Sequence, residues 1–150
     1  MTLFIREAAG SDWLPVRDLL KKFHKVAPYA PIEYNEPDAK RMFITSASSK
    51  KVLSLVVADK KHNIHGLCIA TIQLSWWGAR TAIELITYCE VPGWQHKLLR
   101  LYKKWAKNNN ADVVTLVNSN GCNERYNRLA NIHGFKQIGS VFMLDEKEKM

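Results

Sequence analysis

The order of apolar and polar positions changes period several times along the chain, and each change marks an element. Residues 3–7 alternate as a short strand does. Ser11 and Asp12 then supply a helix cap, and Leu14, Val16, Leu19, Leu20 and Phe23 recur at helical intervals to about Val26. Pro15 falls in the first turn, where its missing N–H has no partner to lose. Pro28 and Pro31 make residues 27–36 a loop, and Pro37 opens a second short helix over 37–44, which the polar stretch 45–51 ends. Two β-branched runs, 52–59 and 64–74, are separated by Lys60-Lys61-His62-Asn63 and read as a hairpin. Ser75-Trp76-Trp77-Gly78-Ala79 turns the chain into a further strand over 81–91. Adjacent tryptophans cannot both point the same way, so one is expected in the core and the other at a pocket rim or partner surface.

The β-rich run ends at Pro92-Gly93 and gives way at once to helical spacing over 93–109. A helix start exposes unpaired N–H groups and the positive end of the helix dipole, so this junction is suited to an anion. Leu98, Leu99, Leu101, Tyr102, Trp105 and Ala106 form the apolar face of that helix; Lys97, Arg100, Lys104 and Lys107 recur on the other, joined by Lys103 and by no acid. Two readings of this stripe stay open: a solvated outer face, or a surface that docks nucleic acid or an acidic protein. The stripe has no interleaved aromatics, which counts against binding of single strands. A strand over 112–118, a helix from Asn123 closed by Gly134-Phe135, and a last strand over 138–144 complete the pattern, with a frayed tail at 145–150.

Composition narrows the class. The chain has 150 residues and 17.2 kDa, 47% apolar and 24% charged, which fits a single globular domain spanning 1–150. No apolar run reaches the roughly 18 residues of a membrane span, and the start of the chain, with Glu7 and no long apolar block, does not read as a secretory signal. A cytoplasmic protein is expected, with no membrane association. Cys68, Cys89 and Cys122 are widely spaced without a CxxC pair and read as free, buried thiols. The histidines are scattered, His62 and His65 falling at a hairpin turn, so no metal site is expected. The net charge of +8 attracts polyanions and phosphorylated cofactors.

The sequence of elements from Ile83 onward, strand, helix, strand, helix ending in Gly134-Phe135, strand, resembles the C-terminal half of the GNAT N-acetyltransferase superfamily. Phe4-Ile5-Arg6-Glu7-Ala8 followed by Asp12 looks like the family's opening strand and helix, and the passage from Leu20 to Pro31 is similar to phage-encoded members. The resemblance implies a mixed α/β fold with a mostly antiparallel sheet of about six to seven strands flanked by about four helices. It implies acetyl-CoA as co-substrate and an amine of a small molecule or a protein as acceptor. In the family the loop corresponding to 27–36 lies over the acceptor pocket. Backbone of Tyr88, Cys89, Glu90 and Val91 would align the pantetheine; Gly93, Trp94, Gln95, His96 and Lys97 would hold the phosphates; and Asn123 falls on the family's usual asparagine. The glycine-rich pyrophosphate loop is shortened, and its later glycines are missing. Ala130 stands where the family's acid tyrosine is expected, four residues before Gly134, and cannot donate a proton.

Tyr126, a helical turn earlier, is the substitute acid or a packed core tyrosine. Glu84 and Glu90 are the candidate general bases: with Tyr88 they share strand parity and are expected on one face, where apolar surroundings would raise a carboxylate's pKa. Otherwise they pair with lysines or arginines on an exposed strand. His133 reads as a cap of the closing helix rather than a catalyst. Beside the transferase reading stand a catalytically silent GNAT-like domain, used as a phage structural or host-protein-binding module, and a binder of nucleic acid or an acidic partner. A homodimer is compatible with all three.

Overall fold

The computed structural model describes residues 2–26, 33–117, 124–139 and 144. Five strands form one sheet in chain order: β1 (Leu3–Glu7), β2 (Leu53–Asp59), β3 (Ile64–Leu74), β4 (Arg80–Cys89) and β5 (Val113–Thr115). The β1–β2, β2–β3 and β3–β4 pairs are antiparallel and β4–β5 is parallel. Among the described residues four helices cover the sheet: α1 (Trp13–Val26), α2 (Glu36–Ser48), α3 (Trp94–Asn108) and α4 (Glu124–Ile132). Helices on both faces explain why β2 and β3 read as continuous apolar runs rather than alternating ones, since every side chain from Leu55 to Ala58 is buried.

The two faces hold separate cores. On one, Trp13, Val16 and Leu19 of α1 and Phe43 of α2 pack on Val56, Ala58, Leu67 and Ile69. On the other, Leu98, Leu99, Tyr102 and Ala106 of α3, with Tyr126 and Leu129 of α4, pack on Leu55, Val57, Cys68, Ala70 and Ala82. The entry to α1 is held by Asp12, which accepts from Ala9 N and pairs with both guanidinium nitrogens of Arg6 at 2.8 Å. The capping group therefore sits at the end of a short 3₁₀ turn (Gly10–Asp12) and reaches backward.

Several expectations change. The sheet has five strands among the described residues. Of the strand expected at 112–118, the described residues form Val113–Thr115, and 136–139 carry no strand; residue 118 and most of the last expected strand, like the loop residues 27–32, Cys122 and Asn123, lie outside the described residues. Helix α2 continues past residue 44, because Ala47 still packs on the apolar core and the Ser48 hydroxyl donates to Ile44 O at 2.8 Å. Both tryptophans of the β3–β4 turn are exposed, rather than one being core: the hairpin extends past the start of β2, whose pairing with β3 begins at Leu53↔Ala70.

Candidate functional site

The site is built around a single irregularity in β4. Pairing with β3 runs without a break from Leu74↔Arg80 to Ala70↔Glu84, then resumes at Ile69↔Ile86, so Leu85 is the extra residue of a bulge. A strand's side chains alternate faces, and one inserted residue inverts the alternation beyond it. Ala82 and Glu84 consequently face α3 and α4, while Ile86 and Tyr88 pack on the α1/α2 core. The expectation that Glu84, Tyr88 and Glu90 share a face is corrected by this bulge. Tyr88 lies against Phe23 of α1, ring centroids 5.4 Å apart, and Glu90 accepts from Lys22 Nζ of α1 at 2.8 Å. The Lys22 pairing is the surface ion pair that sequence left open for Glu90.

Glu84 is only 1% exposed. The Tyr126 hydroxyl, itself in a residue 4% exposed, donates to Glu84 Oε2 at 3.3 Å. Oε1 has no hydrogen-bond partner among the described residues. Burial pushes the Glu84 carboxyl up from 4.5 to about 8, opposed more weakly by the backbone N–H of Val117 and by the Tyr126 hydroxyl. Burial and the nearby Glu84 charge hold the Tyr126 phenol far above its usual range. Two further polar groups share this face. The Cys68 thiol accepts a long contact of 3.7 Å from Thr87 Oγ1, burial raising it to about 12, and the Tyr102 hydroxyl donates to Thr115 O at 2.6 Å.

Glu84 lies where the sheet opens. The β4–β5 ladder consists of Thr81↔Val113, Ala82↔Val114 and Ile83↔Thr115, and β4 residues from Glu84 to Cys89 have no partner on that side among the described residues. Beyond Cys89 the chain enters α3 through Gly93, whose φ of 86° places it in the left-handed region that glycine tolerates best. A Cβ at Gly93 would meet nothing within 4 Å, so the approach to the helix start is open. The first turn of α3 has no side-chain cap and no acid.

A cleft of about 410 Å³ lies beside that helix start, lined by Gly93, Gln95, His96, Arg125, Arg128, Leu129 and Ile132. Two arginines from α4 thus face the residues expected to hold phosphates. His96 Nδ1 lies 3.0 Å from Nε2 of His133, tying the start of α3 to the end of α4, and the Lys103 ammonium donates to His133 O at 2.9 Å. His133 does close α4, its N–H reaching Leu129 O and Ala130 O, but its ring is also part of the cleft wall's support. Lys97 does not enter the cleft lining; its ammonium stacks over the Trp94 ring, 3.7 Å from the centroid. Sequence reading missed Arg125 and Arg128, whose spacing of three on α4 puts them on neighbouring positions of one helix face, and it missed the Leu85 bulge, which no residue type announces.

No family model matches the chain, and no curated protein matches it in sequence. Solved structures do match in shape. A mutant of the BH1408 protein from Bacillus halodurans superposes with a TM-score of 0.78 at 18% identity, covering 95% of this chain and 98% of that one. A GNAT family acetyltransferase from Staphylococcus aureus gives 0.66 at 19% identity, covering 97% and 99%. The aminoglycoside antibiotic 6'-N-acetyltransferase AAC(6')-Ih from Acinetobacter baumannii gives 0.68 at 15%, covering 97% and 98%.

The chain has the GNAT fold. The likeness extends over nearly the whole chain, which accords with the mixed sheet, the four helices and the parallel β4–β5 pair. Within this GNAT fold, Cys89 is half-buried with its thiol directed to Val91 O at 3.5 Å, and burial raises its pKa. Glu90 continues the β3 pairing through its N–H to His65 O at 2.9 Å. Trp94, Gln95 and His96 occupy the first turn of α3.

Proposed function

We propose that the protein is an acetyl-CoA-dependent N-acetyltransferase that passes an acetyl group to an amine. The observation that carries the reading is the early end of the β4–β5 ladder at Ile83↔Thr115, directly before a buried carboxyl of raised pKa and leading toward a basic cleft at a helix start. An extended pantetheine can add to the edge of β4 that is unpaired among the described residues, as a strand would, and phosphates suit the α3 start with Arg125 and Arg128 beside it. Those arginines make up for part of the shortened glycine loop.

The reaction moves one proton from the amine to the departing thiolate while the acetyl–sulfur bond breaks and the acetyl–nitrogen bond forms. Glu84 as carboxylate accepts the amine proton and passes it to the thiolate through the Tyr126 hydroxyl, which takes up Glu84's proton as it gives its own, so that no phenolate forms. A carboxyl near 8 is well placed for this, because an ordinary thiol titrates at about 8.5 and the transfer then runs nearly level. Holding the two reactants in line supplies the rest of the acceleration.

Calorimetry and thermal unfolding with acetyl-CoA test the reading: saturable heat and a raised midpoint support it, and no response at millimolar ligand rules it out. The burial of both Glu84 and Tyr126 favours a second reading, a GNAT-fold binding module without catalysis. In that case acetyl-CoA or CoA binds, or fails to bind, with no acetylated amine formed from any panel of amines.

A further inference from the structure

Among the described residues the β3–β4 turn is the most exposed apolar feature. Trp76 is 100% exposed, Trp77 87% and Leu74 73%. The turn holds its own shape: Gly78 N donates to Ser75 O at 3.0 Å, Ser75 N to Ala79 O at 2.8 Å, and Ala79 N to Ser75 Oγ at 3.0 Å, while Gly78 takes a φ of 84°. The indoles are therefore presented by a rigid tip rather than by a loose loop. Large aromatic surface left in water on an ordered turn marks an interaction site.

Cations outnumber acids at the tip's base. Arg80 pairs across the hairpin from Leu74, and its guanidinium donates to Asn109 O at 3.0 Å, fixing the tip's base against the C-terminal end of α3. That end carries the exposed Lys104 and Lys107, the last residues of the basic stripe that begins at Lys97. Asp112, the nearby acid, accepts from Arg80 N at 2.8 Å and so is tied to the backbone. The tip is the end of a hairpin, and Leu74 beside the indoles has no π-face to stack on a base. An apolar hairpin end with cations behind it fits a surface that deforms around it and carries negative charge.

We propose that this turn docks the protein on an anionic lipid bilayer, Trp76, Trp77 and Leu74 entering the headgroup layer and Arg80, Lys104 and Lys107 lying against lipid phosphates. Tryptophan suits that layer because its ring is apolar and its N–H stays wet. Basic residues near an anionic surface add attraction that salt weakens. The docking departs from the expectation of no membrane association and is peripheral; no described helix is long and apolar enough to cross a membrane.

The test is co-sedimentation of the full chain with vesicles of phosphatidylcholine alone or mixed with phosphatidylglycerol, read alongside tryptophan quenching by brominated acyl chains. Retention on the mixed vesicles only, with quenching, is the expected result. The double variant Trp76→Ser, Trp77→Ser then loses partitioning by roughly tenfold or more, with an unchanged melting midpoint because neither ring is packed. Lys104→Glu with Lys107→Glu abolishes the preference for the anionic lipid. Failure to pellet with mixed vesicles overturns the proposal, as does retention that the tryptophan variant leaves intact. Oligothymidylate binding that quenches the indoles without vesicle retention would replace it with strand stacking, and a dimer that the tryptophan variant dissolves would replace it with self-association. Acetyl-CoA binding is unaffected by either variant.

Discussion

The two faces of the sheet are equally well buried but differently made. Against α1 and α2 the core is apolar and aromatic, with Trp13 and Phe43 rings 6.1 Å apart, and the buried carboxyl at its edge, Asp12, is fully paired with Arg6. Against α3 and α4 the same sheet buries Glu84, Thr87, Cys68 and two tyrosine hydroxyls among its apolar residues. An unpaired polar group in an interior is costly, and Glu84 Oε1 has no partner among the described residues. The first face is not free of such groups, since Ser54 Oγ beside Ile69 also lacks a partner among the described residues; what sets the second face apart is a buried carboxyl with no ion pair. That carboxyl lies where the β4–β5 ladder ends, which is the reason to look for chemistry there rather than along Glu90.

The contrast can be broken from either side. Phe43→Ala on the apolar face should cost about 3–5 kcal/mol in denaturant unfolding, while acetyl-CoA affinity at a temperature where the variant is folded stays unchanged. If affinity falls in step with stability, the two faces are not independent. Glu84→Gln should do the reverse, lowering turnover on the order of 10²–10⁴-fold. Its stability should also lose a pH dependence. In the native protein Glu84 keeps its proton to about 8, whereas the unfolded chain releases it near the ordinary 4.5, so native stability declines as pH rises between those values. The Gln variant should lack that decline, and thermal midpoints at pH 5 and pH 9 check it. Turnover of the native protein should climb through about pH 8 as the carboxylate forms.

Smaller effects sharpen the picture. Tyr126→Phe removes the donor to Glu84 Oε2 and should destabilise by about 1–3 kcal/mol, with the Glu84 titration moving further up, as followed by the pH–rate profile. Arg128→Gln should weaken acetyl-CoA binding several-fold and flatten its dependence on salt, measured by calorimetry at two ionic strengths. Lys22→Ala should leave the melting midpoint unmoved, since its ion pair with Glu90 is largely in water.

Periodicity located the described elements because each buries one stripe or face, and burial leaves its mark in residue type. The run from Ile64 to Leu74 and the helix from Trp94 to Asn108 were legible almost to the residue. The short β5 was not, because residues 116 and 117 keep strand-like composition after the ladder has ended. Candidate site residues were legible only as types: Glu84 and Tyr126 stood out, but a hydrogen bond spanning 42 positions has no local signature.

By itself the sequence determined the order of the described strands and helices, the end of the β-rich run at Pro92-Gly93, and a basic helix whose charges oppose its apolar face. Tertiary structure alone decided which way each carboxyl points, since one inserted residue at Leu85 inverts the strand's alternation without changing its composition. It also decided that both Trp76 and Trp77 stay in water, because exposure depends on whether another element reaches the hairpin's tip, and that is settled by the lengths of neighbouring strands rather than by the tryptophans themselves.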